Sequence, residues 1–482
     1  MGRPRRMLMA QLTGVACVLF IASTLYLSSG TSSHLRDAFS GFSASLFSSS
    51  PQPLSGVCSP DAWSNGQWTR RPEDLTDATS HDTAEIKGPE DAMRLGGFEG
   101  CASSREVWWH MAVDRMPDYN PYPNVTRYDW TPASKGCATG VRPLDGAELV
   151  RELVEDGGWF LIGDSITENH FFSLSCVLYP HVRATPIYDA HSSFDRAWPQ
   201  NLYLNPASPL ISSLSLPPGF SIEQTPLVTF RRIDLLLSQA DLRDLHRAHH
   251  PDTYAQNASF DLFSDEPTWS MSPSEYMPMF LAPLPEARYS TLIASTAGHW
   301  TTTLFAGYHN SSEEEVGHGV KALLPFFGEA MDSWAGDVQA ALDEEKRRAA
   351  RAASASVYAK DDGNYEEVAA EPQRQVVVRA YLPGHEDCHQ EKSPWTEWKP
   401  YVYGWFNWPW IGDMNDIIKN LVRDKSAFPD IHFLGIDRPA LLRPDAHASG
   451  DCLHLVTGSG VIEGWTRYVW HFISRELGPT YT

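Results

Sequence analysis

The 482-residue chain has no long run of basic residues, and its 60 acidic residues outnumber its 38 lysines and arginines, for a formal charge of −22. A nucleic-acid partner is disfavoured on that ground, because phosphate backbones are gripped by clustered lysine and arginine. No internal repeat is evident, which leaves out solenoids and propellers. Cysteine is scarce, with seven in all. Glycine is missing two residues after Ser165, where Thr167 stands, so the G-x-S-x-G elbow of α/β-hydrolases is absent. What remains is ample for a large core: 42% hydrophobic and 12% aromatic residues, in a length that fits two or three average domains or one elaborated one.

The one outstanding apolar stretch runs from Met7 to Leu27, behind Arg3, Arg5 and Arg6. About 20 such residues cross a bilayer as a helix, and the flanking arginines favour a cytosolic N-terminus. The expected layout is a cytosolic tail at 1–6, a transmembrane signal anchor at 7–27 and a serine-rich stem at 28–56. A signal peptide cleaved after Ser28-Ser29-Gly30 is the competing reading. Either one sends the bulk of the chain into the secretory pathway. Setting aside Cys17 in the apolar stretch, six cysteines remain, enough for three disulfides in 15 connectivities. The sequons at Asn124, Asn257 and Asn310 fit the same compartment as glycosylation sites.

From 57 to 140 the chain scatters Trp, Pro and Cys without periodicity, as expected of a loop-rich, disulfide-stapled lobe. The catalytic domain is expected over 141–482. It opens with a short helix at Gly146–Asp156, followed by the strand Trp159–Ile162. Further strands are expected at Leu227–Ile233, Thr291–Ser295, Gln375–Tyr381 and Ile431–Ile436, with helices at Val320–Ala353 and Asp413–Arg423. Strands alternating with helices imply an α/β layered fold on a mainly parallel sheet. The charged, Ala/Ser-rich stretch 347–373 reads as a surface insertion, mobile in its second half.

Gly163-Asp164-Ser165 closes the 159–162 strand, and the residues from Ile166 read as an amphipathic helix. Ser165 therefore falls on a strand-to-helix turn at the carboxyl end of a parallel sheet. A serine needs a neighbouring base, itself held in one tautomer by a third group. Asp451 and His454, three residues apart, can supply the carboxylate and the imidazole within one turn. Ser165, His454 and Asp451 are thus the candidate nucleophile, base and orienting acid of an acyl-transfer reaction. The competing reading of Gly163–Thr167 is a polar turn that caps a helix.

Gly163-Asp-Ser-Ile-Thr167 resembles the first block of the SGNH, or GDSL, hydrolase superfamily. Arg443-Pro-Asp-Ala-His447 followed by Asp451-Cys-Leu-His454 resembles the end of the PC-esterase family, which includes the trichome birefringence-like proteins of plants. Tyr128-Asp-Trp-Thr-Pro132 leading to Cys137, Ser173-Leu174-x-Cys176 and Gly298-His299-Trp300 resemble further blocks of that family, in the same order. The resemblance implies an SGNH-like three-layer α/β/α sandwich and a Golgi polysaccharide O-acetyltransferase, a single-pass type II membrane protein with a lumenal catalytic domain. By the same resemblance Cys58 pairs with Cys137, Cys101 with Cys176, and Cys388 with Cys452. Two positions depart from the pattern: Glu168 stands where the family carries arginine, and Thr296 where it carries asparagine. Arginine and asparagine at those places are residues of the kind that stabilise an oxyanion or position a donor.

For the oxyanion hole the Ser165 N–H is the natural first donor, at a helix N-terminus, with the Gly298 N–H or the Asn169 side chain as second. Asn169 reads better as a solvent-facing or turn-capping residue. Asp413, in Gly412-Asp-Met-Asn-Asp416, reads as a helix N-cap. His385-Glu-Asp-Cys-His389 matches the H-E-x-x-H zinc signature, but Pro383-Gly384 and Pro394 leave too little helix to carry it, so no metal is expected. The aromatic run Trp395–Trp410 is read either as loop packing or as a glycan groove, with Trp405, His299 and Trp300 as candidate substrate contacts and His447 as a brace for the 451–454 turn.

The function expected is transfer of an acetyl group onto a polysaccharide or glycan hydroxyl through an acyl-serine, with no bound cofactor and an unspecified acetyl donor. An esterase using the same three residues is the near alternative. A non-catalytic glycan-binding protein is the distant one.

Overall fold

Five short apolar runs, each ended by turn residues, become five parallel strands. In the structure, a computed structural model, the described residues are 58–72, 86–111, 120–188, 195–312, 317–358, 371–448 and 451–477. The expected tail, anchor and stem lie outside them, and among the described residues no helix is long and apolar enough to cross a membrane.

The strands are β1 (Gly66–Arg70), β2 (Tyr128–Pro132), β3 (Gly158–Gly163), β4 (Val182–Thr185), β5 (Gln200–Leu204), β6 (Pro226–Arg232), β7 (Tyr289–Ala294), β8 (Gln375–Arg379) and β9 (Ile431–Leu434). Seven form one sheet in the order β4-β5-β6-β3-β7-β8-β9. Strands β6, β3, β7, β8 and β9 run parallel, and β4 and β5 extend one edge antiparallel. The longer helices are α1 (Gly146–Glu155), α2 (Ser165–Val177), α3 (Gln239–His249), α4 (Pro273–Phe280), α5 (Val320–Tyr358), α6 (Ile411–Leu421) and α7 (Val461–His471). The protein is α/β with a mostly parallel central sheet, as expected.

β3 is the spine of that sheet. All six of its residues are buried, because it is flanked by β6 and β7 and covered on both faces. A strand buried on both faces reads as continuous apolar sequence, which is why Trp159–Ile162 is legible without alternation. Truncating Leu161 to alanine would cost about 2–5 kcal/mol and loosen the strand that presents Ser165.

α2 departs from the amphipathic expectation. Every residue from Ile166 to Cys176 is buried, because its polar face is also covered. Asn169 meets His110, His170 meets Thr466, and the Ser173 hydroxyl donates to Glu463. The lobe and α7 supply those partners.

The lobe is held by the β1–β2 antiparallel pair and by disulfides Cys58–Cys137 and Cys101–Cys176; the third disulfide is Cys388–Cys452. These are the pairings implied by the resemblance. Arg443, wholly buried, fastens the lobe to the C-terminal segment. It donates to the Val125 and Ser459 carbonyls and to Asp445. The stretch 347–373 begins as the last turns of α5, residues 359–370 lie outside the described set, and Arg374 returns to the core paired with Glu345. Of the sequon asparagines, Asn257 is exposed, while Asn124 and Asn310 are half-buried.

Candidate active site

Gly163 makes the turn that lifts Ser165 off the end of β3. Its φ of 153° suits glycine, and a Cβ there would sit 2.3 Å from the Thr167 hydroxyl and 2.6 Å from the Ser295 carbonyl. Asp164 then caps α2, accepting from the Ile166 N–H at 3.0 Å. The cap and the candidate nucleophile are therefore successive residues of one turn, so the capping role of Asp164 leaves the Ser165 hydroxyl uncommitted to the cap. Ser165 is the first helical residue and half-buried.

The base arrives from the other end of the chain. Ser165 Oγ lies 2.6 Å from His454 Nε2, and His454 Nδ1 lies 2.5 Å from Asp451 Oδ2. A carboxylate only accepts, so Nδ1 carries the proton and Nε2 is left to accept from the serine hydroxyl. The second carboxylate oxygen of Asp451 accepts from the Leu453 and His454 N–H groups at 2.8 and 2.7 Å. Burial raises the Asp451 pKa, but the hydrogen bonds and charge of His454 outweigh it and hold the carboxyl below its ordinary range.

Such a tight loop needs outside support. Cys452 between acid and base has φ 56°, a left-handed conformation, and it is bonded to Cys388. The Cys452 carbonyl accepts from His385 N–H. His447 lies 3.2 Å from the His454 carbonyl and 2.6 Å from His385, so it braces the turn from behind. Burial drives the His447 pKa down to about 3 and the His385 pKa to about 4.

Asn169 is neither solvent-facing nor aimed at an oxyanion. It is buried, accepts from Leu455 N–H at 3.3 Å, and its amide nitrogen lies 2.8 Å from His110 Nδ1. It thus ties the nucleophile helix to the base loop. Burial, then the charges of His454, Arg105 and Arg196, drives the His110 pKa well down, which suits its ring nitrogen to accept from that amide. Gly298 does reach the nucleophile turn. A Cβ on it would fall 2.1 Å from the Tyr381 hydroxyl and 2.9 Å from Asp164 Oδ2, so only glycine fits that approach. Burial and the Asp164 charge raise the Tyr381 pKa well above its ordinary value.

Trp300 is no substrate contact. It is fully buried, stacked on Phe305 at 4.6 Å, and it donates to Thr296. Thr296 in turn donates to the Asp234 carbonyl, so its hydroxyl links Trp300 to the Asp234 backbone. His299 is half-exposed, 3.9 Å from the Asp234 carboxylate. Trp405 is exposed but does not wall the cavity that holds Ser165. It belongs to a surface patch with Val402, Tyr403 and Phe406. Glu386 shapes that loop by accepting from the backbone N–H groups of Val402, Tyr403, Gly404 and Trp405. In the H-E-x-x-H segment, Glu386 is thereby committed to the loop, His385 is buried against His447 and the Leu441 carbonyl, and Cys388–Gln390 is a single 3-10 turn. Asp413 lies in the first turn of α6 and makes no cap. The neighbouring Asn415 instead bonds both backbone groups of Tyr381.

Several residues at the site carried no motif. A cavity of about 390 Å³ opens beside Ser165 and His454, walled by Trp109, Trp269, Arg196, Arg232 and Glu106. The Trp109 ring lies 4.4 Å from the His454 ring. Arg232 is the last residue of β6, in register with Gly163, so the strand-end rule that finds Ser165 also finds it. Arg105 forms a buried ion pair with Glu168 at 2.8 Å, and Gln200 donates to the same carboxylate at 2.6 Å. Glu168, one turn beyond the nucleophile, is therefore a structural carboxylate matched by an arginine from the lobe.

No protein-family model matches the chain, and no curated protein matches it. The class of protein is therefore argued from the site itself: a serine, an imidazole and a carboxylate in hydrogen-bonded series at the carboxyl end of a parallel sheet.

Proposed function

We propose that the chain is a serine-dependent O-acyltransferase of the PC-esterase type, with an SGNH-like α/β/α architecture, that moves an acetyl group onto a glycan hydroxyl in the Golgi lumen. The observation that carries this reading is the unbroken series Ser165 Oγ, His454 Nε2, His454 Nδ1 and Asp451 Oδ2, at 2.6 and 2.5 Å. Ser165 Oγ attacks the acyl carbonyl as His454 takes its proton, and His454 then returns that proton to the departing group. The acyl-serine is next attacked by a sugar hydroxyl, which gives its proton to His454; the tetrahedral adduct collapses and the proton restores the serine. The Ser165 N–H at the start of α2, with the Gly298 backbone beside it, is suited to hold the oxyanion.

Water in place of the sugar turns the same steps into ester hydrolysis, and the open cavity favours keeping that second reading. A purely glycan-binding role has the exposed aromatic loop in its favour, yet it gives no reason for the three side chains to converge. Incubating the full-length chain with acetyl donors and oligosaccharides, followed by mass spectrometry, separates the three outcomes: acetylated sugar, free acetate or neither. Ser165→Ala should abolish both reactions and change unfolding stability by less than about 0.5 kcal/mol, since a half-buried turn hydroxyl contributes little to packing. Full activity in Ser165→Ala would exclude the acyl-serine route.

A further inference from the structure

We propose that the cavity beside Ser165 selects a carboxylate-bearing sugar, a uronate-type unit, as acyl acceptor, and that Arg232 is the residue that grips the carboxylate, with Arg196 assisting. This rests on the acyl-transfer reading above and deepens it. Arg232 is nearly buried, its side chain 7% exposed, and its Nε donates to Asp234 Oδ1 at 3.0 Å. Asp234 is wholly buried and is fixed by the Trp269 N–H at 2.9 Å and the Thr268 hydroxyl at 3.2 Å. The guanidinium also lies over the Trp269 ring, 4.1 Å from its centre. One edge and one face of the fork are thus spoken for, so the remaining N–H groups point in a fixed direction. A planar fork fixed in this way matches a carboxylate through two parallel hydrogen bonds.

Two arginines and one carboxylate, Glu106, line the cavity; Arg196 pairs with Glu106 at 3.2 Å and Arg232 with Asp234 at 3.0 Å, so both guanidiniums are held in place by matched charges. Glu168, near Arg196 at 3.8 Å, spends its charge on Arg105 at 2.8 Å. The indoles of Trp109 and Trp269 offer flat apolar walls for the C–H faces of a sugar ring, and the volume, about 390 Å³, falls in the range of small-ligand sites. Because these groups line the same cavity as Ser165 and His454, a uronate held by its carboxylate presents ring hydroxyls to the acyl-serine.

The same arginines would also suit phosphate on an acyl donor such as a coenzyme A thioester, and the test separates the two sources. Calorimetry would measure binding of the full-length wild-type chain to a uronate oligosaccharide, to the same oligosaccharide with its carboxyls reduced to alcohols, and to coenzyme A. The uronate form should bind about ten- to a hundredfold more tightly than the reduced form, as expected for hydrogen bonds to a charged group. Arg232→Gln should shrink that ratio towards one, and Arg232→Lys should keep part of it. Equal affinity of wild type for the two oligosaccharides overturns the proposal whatever the variants do. Tight coenzyme A binding that depends on Arg232, without a uronate preference, also overturns it and assigns the arginines to the donor. A p-nitrophenyl acetate assay of the same preparation reports on the other reading. No acetyl-Ser165 and no nitrophenolate burst would overturn the acyl-serine mechanism while leaving a measured uronate preference in place.

Discussion

Glu168→Arg, the change that would bring this chain into line with the trichome birefringence-like pattern, should be among the most damaging substitutions in the protein. The Glu168 carboxylate is 2% exposed and the Arg105 guanidinium 1%, with Nε and Oε1 2.8 Å apart. Removing one partner of such a pair strands a buried charge and costs about 3–5 kcal/mol. Glu168→Gln should fall near the lower figure, because a glutamine can still accept from Gln200, whose amide now reaches Oε1 at 2.6 Å. Glu168→Arg should cost more, since it sets a second guanidinium against Arg105 and faces Arg196 as well, and that loss rivals the whole stability of a typical domain, about 5–15 kcal/mol. The exposed Arg196 contact, at 3.8 Å and 35% exposure, adds little. Urea unfolding of the full-length chain, followed by tryptophan fluorescence, gives the two single-variant costs. The double variant Arg105→Glu/Glu168→Arg should then recover secretion and most of the lost stability. A Glu168→Gln cost below about 1 kcal/mol, or a swapped double no better than Glu168→Arg alone, would refute the buried pair.

Asp451→Asn should lower kcat by about 10³–10⁴-fold, because the amide no longer enforces the Nδ1–H tautomer. Its effect on stability is pH-dependent: a carboxyl whose folded pKa is depressed stabilises the fold above the unfolded value near pH ~4 and loses that contribution as pH falls through the folded value. Unfolding curves of wild type should therefore weaken on the acid side more steeply than those of Asp451→Asn; parallel curves would contradict this. A serine-directed organophosphonate should label Ser165 and stop the reaction while chelators leave it unchanged, and chelator-sensitive activity would count against the serine mechanism. Replacing both Cys388 and Cys452 with serine opens a link across 64 residues, which chain entropy values at about 4 kcal/mol. It should also reduce kcat under conditions where the protein stays folded, because Cys452 stands between Asp451 and His454; unchanged kcat would place the disulfide outside the mechanism.

Strands β3, β6, β7 and β8 were legible because burial on both faces writes itself as a continuous apolar run, and β9, at the edge and half-buried, because its ends are apolar. The antiparallel strands β4 and β5 were missed: Val182–Thr185, at the sheet edge, is four residues with a charged arginine, and Gln200–Leu204 beside it opens on two amides and alternates in burial. Ser165 could be named from its strand-to-helix turn, and Asp451 and His454 from their three-residue spacing, because the chemistry demands a fixed set of residue types. Arg232 carried no motif but sits at the end of an expected strand, whereas Arg196, Trp109 and Trp269 converge only through folding and no spacing relates them. Asn169 and Trp300 misled for a related reason. Their polar groups look available in one dimension, and only the fold shows them engaged by Leu455, His110 and Thr296.

The aromatic loop at 402–406 owes its form to one side chain. Four consecutive backbone N–H groups converge on Glu386, and the residues that bear them contribute no side chain to the contact. Its hydrogen-bonded outline therefore does not draw on the side chain of exposed Val402, while Tyr403 and Trp405 add a stacked pair that rests on Trp408. Glu386 is two residues from Cys388, whose disulfide partner Cys452 adjoins Asp451. A chain built this way can diversify what its outer surface meets without disturbing the turn that carries Asp451 and His454.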